Sequence, residues 1–398
     1  MEDNAPPPLS MPPPPPNFPP PPPPPMGPPP VIVAPKPSPG PRRGRGWMVF
    51  ALILFVLLAI SMLYNLGNFA SNIFHGRPTH YAGHNAGPRL EETELPAGDP
   101  DAANKIAVIE VEGIITGRAL DSGGFSIVDI IRAQLKRAEE DDKVKAVILR
   151  VDSPGGEVLA SDEINRAIVD FQKKSPRKPV VASMGGLAAS GGYYVSVPCR
   201  WIVANDLTLT GSIGVIISSY NYRGLMDKVG VLPETYKSGK FKDMLSGSRE
   251  PSEITAEEKD MVQGLINETY NRFKAVVQAG RNQAYEKNKE NKSAEDRGQA
   301  LADNWQDFAD GRVLSGTEAF KRGFVDQLGN FEVAIKRTKK LAGISEASLI
   351  QYQQRYDLSD FFRLFGKSDA KSIKVDLGMD VPKLQAGHMY FLSPAFLH

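Results

Sequence analysis

Ser190 stands in the run MGGLAASGGYYV, residues 184–195, with glycine and alanine on both sides. Side chains this small suit either a tight turn packed on a neighbour or a hydroxyl that a substrate backbone must approach closely. The second reading is chemistry: a serine nucleophile with backbone N–H groups beside it to hold an oxyanion. A second glycine-rich turn, RVDSPGGEV at 150–158, also follows an apolar run. Gly155 or Gly156 from that turn and Gly191 from the first would supply the two donors. A serine hydroxyl also needs a base. All five histidines (75, 80, 84, 388 and 398) lie outside residues 103–340, which excludes a Ser-His-Asp triad within the predicted core. The base must be lysine, aspartate, glutamate or tyrosine.

The segment YKSGKFKDML at 236–245 offers Lys237, Lys240 and Lys242 among Phe241, Met244 and Leu245. On spacing alone it reads as a solvated basic loop. A lysine acts as a base only when neutral, and lowering its pKa from ~10.4 to about 7–8 takes roughly 3–5 kcal/mol of differential stabilisation by desolvation. An exposed loop cannot supply that, so apolar cover from this chain or a neighbouring subunit is required. A nearby neutral hydroxyl would orient the amine, and Ser212 in TGSIGV (210–215) is a candidate.

These turns need strands that end beside one another. IAVIEVEGII (106–115), VKAVILRVD (144–152), PVVASM (179–184) and WIVAND (201–206) read as strands, the middle two as buried parallel ones. IVDIIRAQLKRAEE (127–140) and SDEINRAIVDFQ (161–172) have helical spacing, with Ser161 as an N-cap candidate. Alternation of this kind predicts an α/β fold, a parallel β-sheet with flanking helices and the ligand site at the strands' C-terminal ends. A capping box at Thr255 and Glu258 predicts a long helix, with one face marked by Val262, Leu265, Ile266, Thr269, Phe273, Val276 and Val277. Residues 281–300 read as a polar loop or solvated helix, and 310–343 returns to compact α/β patterning.

Taken together and in this order, DSPGG, ASGGYY, TGSIGV, the Lys242–Asp243 pair and DGRVLSG…GFVDQLG resemble the signal peptide peptidase SppA family in its short bacterial form. The resemblance covers about residues 104–342. It implies a Clp/crotonase-like fold and a serine–lysine dyad peptidase that needs no cofactor and no metal. Ser190 matches the nucleophile, Lys242 the general base and Ser212 the orienting hydroxyl. Gly156 and Gly191 match the oxyanion donors, with Gly155 the alternative to Gly156. The resemblance further implies a homo-oligomeric ring whose neighbouring subunits share each active site. Its substrates would be remnant signal peptides or other extended apolar peptides at the membrane.

The remaining organisation follows from composition. Of 34 prolines, 22 fall in residues 1–41, so residues 1–46 form a solvated, proline-rich tail, a spacer or a ligand for proline-binding modules. Residues 47–66 carry no charge over 20 positions, enough to span the ~30 Å hydrocarbon core as a transmembrane helix. Lys36, Arg42, Arg43 and Arg45 precede this span, and no lysine or arginine follows until Arg77. This bias puts the N-terminus in the cytoplasm and everything after residue 66 outside; the resemblance to a bacterial family then implies an inner membrane and a periplasmic catalytic domain. A cleaved signal peptide is the competing reading, but its apolar core would be shorter.

Residues 67–103 read as a linker, 104–342 as the peptidase domain and 343–398 as a C-terminal extension. A net charge of +1 gives no reason to expect nucleic acid as a partner, and the single cysteine, Cys199, excludes an internal disulfide. Two other function classes compete. One is an acyl-CoA enzyme of the crotonase type, and the other is a non-catalytic scaffold recruiting partners through the tail.

Overall fold

The computed structural model describes residues 50–58, 61–62, 87–119, 124–354 and 389–392. The chain divides into two units, Met1–His80 and Tyr81–His398. In the first, residues 50–58 and 61–62 are helical and exposed. Among the described residues no helix is long and apolar enough to cross a membrane. The expected 47–66 span is therefore not shown as a transmembrane helix, and the rest of it lies outside the described residues. So do the tail (1–46) and the five histidines.

The second unit is a mixed α/β fold built on one sheet. Its strands are β1 (Leu90–Leu95), β2 (Lys105–Ile115), β3 (Val144–Glu157), β4 (Val180–Ala189), β5 (Trp201–Ala204), β6 (Leu209–Gly211), β7 (Val313–Ser315), β8 (Gln327–Leu328), β9 (Ser348–Gln354) and β10 (Tyr390–Leu392). The main path runs β1-β9-β2-β3-β4-β5-β8, with β6 paired to the far end of β4, β7 to β6, and β10 to β3. From β9 to β8 along this path the pairs are parallel, while β1–β9, β6–β7 and β3–β10 are antiparallel. The near-continuous apolar runs of β2 and β3 are explained by burial on both faces. Ala107, Ile109, Val147 and Leu149 join one core cluster, whereas Ile106, Val108, Ala146 and Ile148 join another. β1, β9 and β10 carry the sheet past the 104–342 span on both sides.

The helices cover those faces. α1 (Ile127–Glu140) starts at a capping box in which Ser126 and Asp129 satisfy each other's backbone N–H. α2 (Val158–Lys174) starts after Glu157 rather than at Ser161, which lies within the first helical turn and donates its hydroxyl to the Glu157 carbonyl at 2.9 Å. α3 (Gly191–Ser196) follows Ser190 directly, and α4 (Arg223–Lys228) lies in the segment after β6. The long helix α5 (Ala256–Asn288) starts at the Thr255–Glu258 box as expected. It continues eight residues into the stretch read as polar, because Arg281 and Asn288 there are buried partners of the fold. Of its expected apolar face only Phe273 and Val277 are buried, while Leu265 is exposed. α6 (Gly316–Lys321) follows β7. α7 (Phe331–Ala342) lays Ala334 and Ile335 on the face opposite α1 and α2.

One buried ion pair ties α5 to the sheet. Arg281 bonds Asp326, which also accepts the Ile202 N–H at 2.8 Å and the Gln299 N–H at 3.1 Å. Both charged side chains are all but inaccessible. Breaking one partner of such a pair strands the other charge, at a cost of about 3–5 kcal/mol. Asp326→Ala is expected to lose that much stability in chemical denaturation. A loss under about 1 kcal/mol would show that the pair contributes little.

Candidate active site

The register of β3 against β4 creates the site. Val151 pairs with Met184, but Ser153 pairs with Ala188, so Gly185, Gly186 and Leu187 bulge out of the ladder. The Leu187 N–H donates to the Asp152 carboxylate at 3.1 Å and anchors the bulge. Beyond it, β4 reaches further than PVVASM predicts and delivers Ser190 to the strand-to-helix junction. There Ser190 takes φ 54° and ψ −114°, an unfavourable backbone for a residue with a Cβ. Its N–H is held by the Gly211 carbonyl at 2.8 Å, and its carbonyl accepts from Tyr194. The hydroxyl is buried and has no hydrogen-bond partner among the described residues. A buried, unpaired hydroxyl on a strained turn is costly to keep unless it has chemistry to perform.

The two glycine turns meet backbone to backbone. Gly155 has φ 100°, and a Cβ there would lie 2.6 Å from the Gly191 nitrogen. A Cβ on Gly191 would in turn meet the Gly155 Cα at 3.0 Å and the Gly156 nitrogen at 3.1 Å. No side chain fits between these segments, which is why the sequence spends glycines there. The Gly155 N–H is already donated to the Ser153 hydroxyl at 3.1 Å. That leaves the Gly156 and Gly191 N–H groups as the candidate pair of oxyanion donors, with Gly156 paired to Phe391 of β10 in this structure.

Ser212 follows Gly211, which pairs with Ala189 across β6 and β4, so Ser190 and Ser212 end neighbouring strands. Ser212 is buried, has φ 50°, and donates its N–H to the Arg312 carbonyl at 2.8 Å. Among the described residues three non-glycine positions have positive φ: Ser190, Ser212 and Leu245. The third lies in the lysine-bearing segment.

Within that segment the three lysines differ. Lys237 forms an ion pair with Asp243 at 2.7 Å, and Lys240 pairs with Glu257 at 2.5 Å while sitting over the Phe241 ring. The Lys242 side chain is exposed and has neither ion pair nor hydrogen bond among the described residues. A carboxylate neighbour favours the ammonium form, the wrong one for a base. The Lys237 ammonium beside Asp243 holds that carboxyl below its usual range, and Arg249 does the same to Glu258. Arg249 bonds Glu258 at 2.5 Å, so an ionic chain runs from Lys237 through Asp243 and Arg249 to the start of α5. It fixes the loop without engaging Lys242.

The structure therefore brings Ser190, Gly155, Gly156, Gly191 and Ser212 together. It gives Lys242 no contact with Ser190. Cys199 is fully buried and burial pushes its thiol up, which leaves it inert. Among the described residues no group of side chains is arranged to hold a metal ion. Sequence reasoning missed β10, whose three residues pair with the glycine turn of β3. Its apolar YFL triplet is too short to signal a strand.

Residues 172–299 and 294–345 match peptidase family S49. A protein of Enterococcus faecium assigned to signal peptide peptidase SppA is 38% identical over 267 residues, spanning 66% of this chain and 71% of that protein. Protease 4 of Haemophilus influenzae is 34% identical over 266 residues, which cover 66% of this chain but 38% of the longer enzyme. Among solved structures, a mutant of the membrane-bound stomatin-specific protease 1510-N in complex with a substrate peptide overlaps at a TM-score of 0.37 and 16% identity, covering 66% of this chain and 99% of that one. With a shared family match, this degree of identity and the serine turn in place, the chain belongs to peptidase family S49, the SppA-type serine endopeptidases.

Proposed function

We propose that Ser190 is the nucleophile and Lys242 the general base of a membrane-anchored endopeptidase that degrades remnant signal peptides and other extended apolar peptides. The observation that carries this reading is the buried Ser190 hydroxyl, unpartnered among the described residues, beside the closely apposed backbones of Gly156 and Gly191. The Ser190 Oγ attacks the peptide carbonyl carbon while Lys242 takes the hydroxyl proton. The Gly156 and Gly191 N–H groups hold the oxyanion, and Ser212 orients the amine. Collapse breaks the C–N bond, and the lysine returns its proton to the leaving amine. Water then hydrolyses the acyl-serine ester with the same lysine as base, releasing the carboxylate product and restoring the hydroxyl.

Lys242 reaches Ser190 from a neighbouring copy in a ring, and the contact between copies removes water from the amine. Support comes from the apolar residues exposed around the lysine loop, among them Tyr220, Leu225, Val229, Leu232 and Tyr236, which a second copy would cover. The charge-free 47–66 segment and the basic residues before it support an anchor in a bacterial inner membrane with the catalytic unit on the periplasmic side. The test is covalent labelling of the full-length protein in detergent by a peptidyl phosphonate. Expected is one adduct per chain, on Ser190, lost in Ser190→Ala. An unlabelled but assembled wild-type protein would overturn the assignment.

A further inference from the structure

We infer that Arg249 is a positioning residue for the base. Through Asp243 it holds the Lys242 loop against the start of α5, and so fixes where the amine can reach. This rests on the proposed role of Lys242. The observation behind it is a guanidinium, largely shielded from water, that meets three acceptors in a segment with neither helix nor strand of its own.

Residues 238–245 are a run of turns and bends. The Met244 N–H donates to the Phe241 carbonyl and the Ser246 N–H to the Asp243 carbonyl, each at 3.0 Å. Leu245 takes φ 67°, an unfavourable backbone for a residue with a Cβ. Beneath these turns lies a cavity of about 220 Å³ whose walls include Met244, Leu245, Ile254 and Val262. Apolar packing under the loop is thus incomplete, and polar contacts have to hold it.

Arg249 supplies them. Its side chain is 13% accessible, and its Nε lies 3.6 Å from the Asp243 carboxylate. The same guanidinium donates to the Glu258 carboxylate and to the Glu253 carbonyl, each at 2.5 Å. A planar guanidinium meets several acceptors at once in fixed directions, which an ammonium on a flexible stem does not. Asp243 follows Lys242 directly in the chain, so holding its carboxylate holds the Lys242 backbone. At the far end Glu258 divides its two oxygens. One takes Arg249, and the other accepts the Thr255 N–H at 2.8 Å in the capping box of α5. The loop is thereby tied to the first turn of the long helix. Lys237 reaches the same Asp243, but its side chain is 35% accessible, and exposed ion pairs contribute little. Displacing a catalytic group by about 1 Å can cost on the order of 10²-fold in rate, which sets the scale of the expected effect.

The experiment is a double-variant cycle on the full-length protein in detergent. It reads kcat and KM on one apolar peptide, with assembly followed by light scattering. In the parent, Arg249→Gln is expected to lower kcat about 10- to 100-fold and leave KM within about twofold. In a Lys242→Ala background the same change should alter kcat by less than about threefold, because a residue that acts only through the base has nothing left to act on. Equal losses in both backgrounds would show general damage to the fold and overturn the inference. So would an unchanged kcat in Arg249→Gln. Should Arg249→Gln fail to assemble, Glu258→Gln repeats the cycle. Its amide oxygen keeps the Thr255 contact of the capping box, while its amide nitrogen faces the guanidinium and breaks that link. The same background-dependent loss is expected, and parental kcat in Glu258→Gln would overturn the role of Arg249. Parental activity in Lys242→Ala alone would instead overturn the base assignment on which that role rests.

Discussion

Replacing Lys242 with alanine is expected to lower kcat for peptide cleavage by about 10²–10⁴-fold, the range a positioned general base contributes. Lys237→Ala and Lys240→Ala should stay within about tenfold of the parent, well short of the loss of a base. The three residues are close in sequence and identical in type, so the contrast isolates their surroundings. Lys237 and Lys240 are committed to Asp243 and Glu257, whereas the Lys242 amine is free among the described residues. Ser190→Ala should cost more, on the order of 10⁶-fold, and the double variant should be no worse than Ser190→Ala, because nucleophile and base act as a unit. Steady-state kinetics on one apolar peptide, with assembly checked by light scattering, decides the matter. Retained activity in Lys242→Ala would move the base elsewhere.

The second large effect is recovery rather than loss. Ser190 is buried at the end of β4, Lys242 is exposed on its loop, and a single chain shows no contact between them. If each site takes its serine from one copy and its lysine from the next, Ser190→Ala and Lys242→Ala chains complement each other. Random mixing in a closed ring leaves about one interface in four with both intact groups, so about a quarter of parental activity should return. Each variant alone should remain inactive. Mixed rings, confirmed by two affinity tags, that stay inactive would show that serine and lysine belong to the same chain.

Much of the serine-turn half of the candidate site was legible in the sequence. The small-residue run around Ser190 and the DSPGG turn are dictated by close backbone approach, a demand that leaves glycine as almost the only choice. The strand and helix alternation from 105 to 204 was equally plain, because strands buried on both faces must be apolar throughout. Less legible was anything set by register. Ser161 resembles an N-cap, but β3 runs on through the glycines and α2 starts three residues earlier than the serine. Leu265 resembles core, yet among the described residues it stays exposed.

Residue types alone removed histidine from the core, put a serine between glycines, and so turned the search for a base toward lysine. They could not choose between Gly155 and Gly156, or separate Lys242 from its two neighbours. These residues differ in surroundings that only the fold supplies: the Ser153 hydroxyl takes the Gly155 N–H, and Lys237 and Lys240 each find a carboxylate. The pairing of Phe391 with Gly156, 235 positions apart in the chain (391 − 156), is likewise a tertiary fact. Local chemistry is written in short runs because it needs particular side chains at fixed spacing. Partner choice is decided by the fold, because contacts between distant segments exist only once the sheet has set their register.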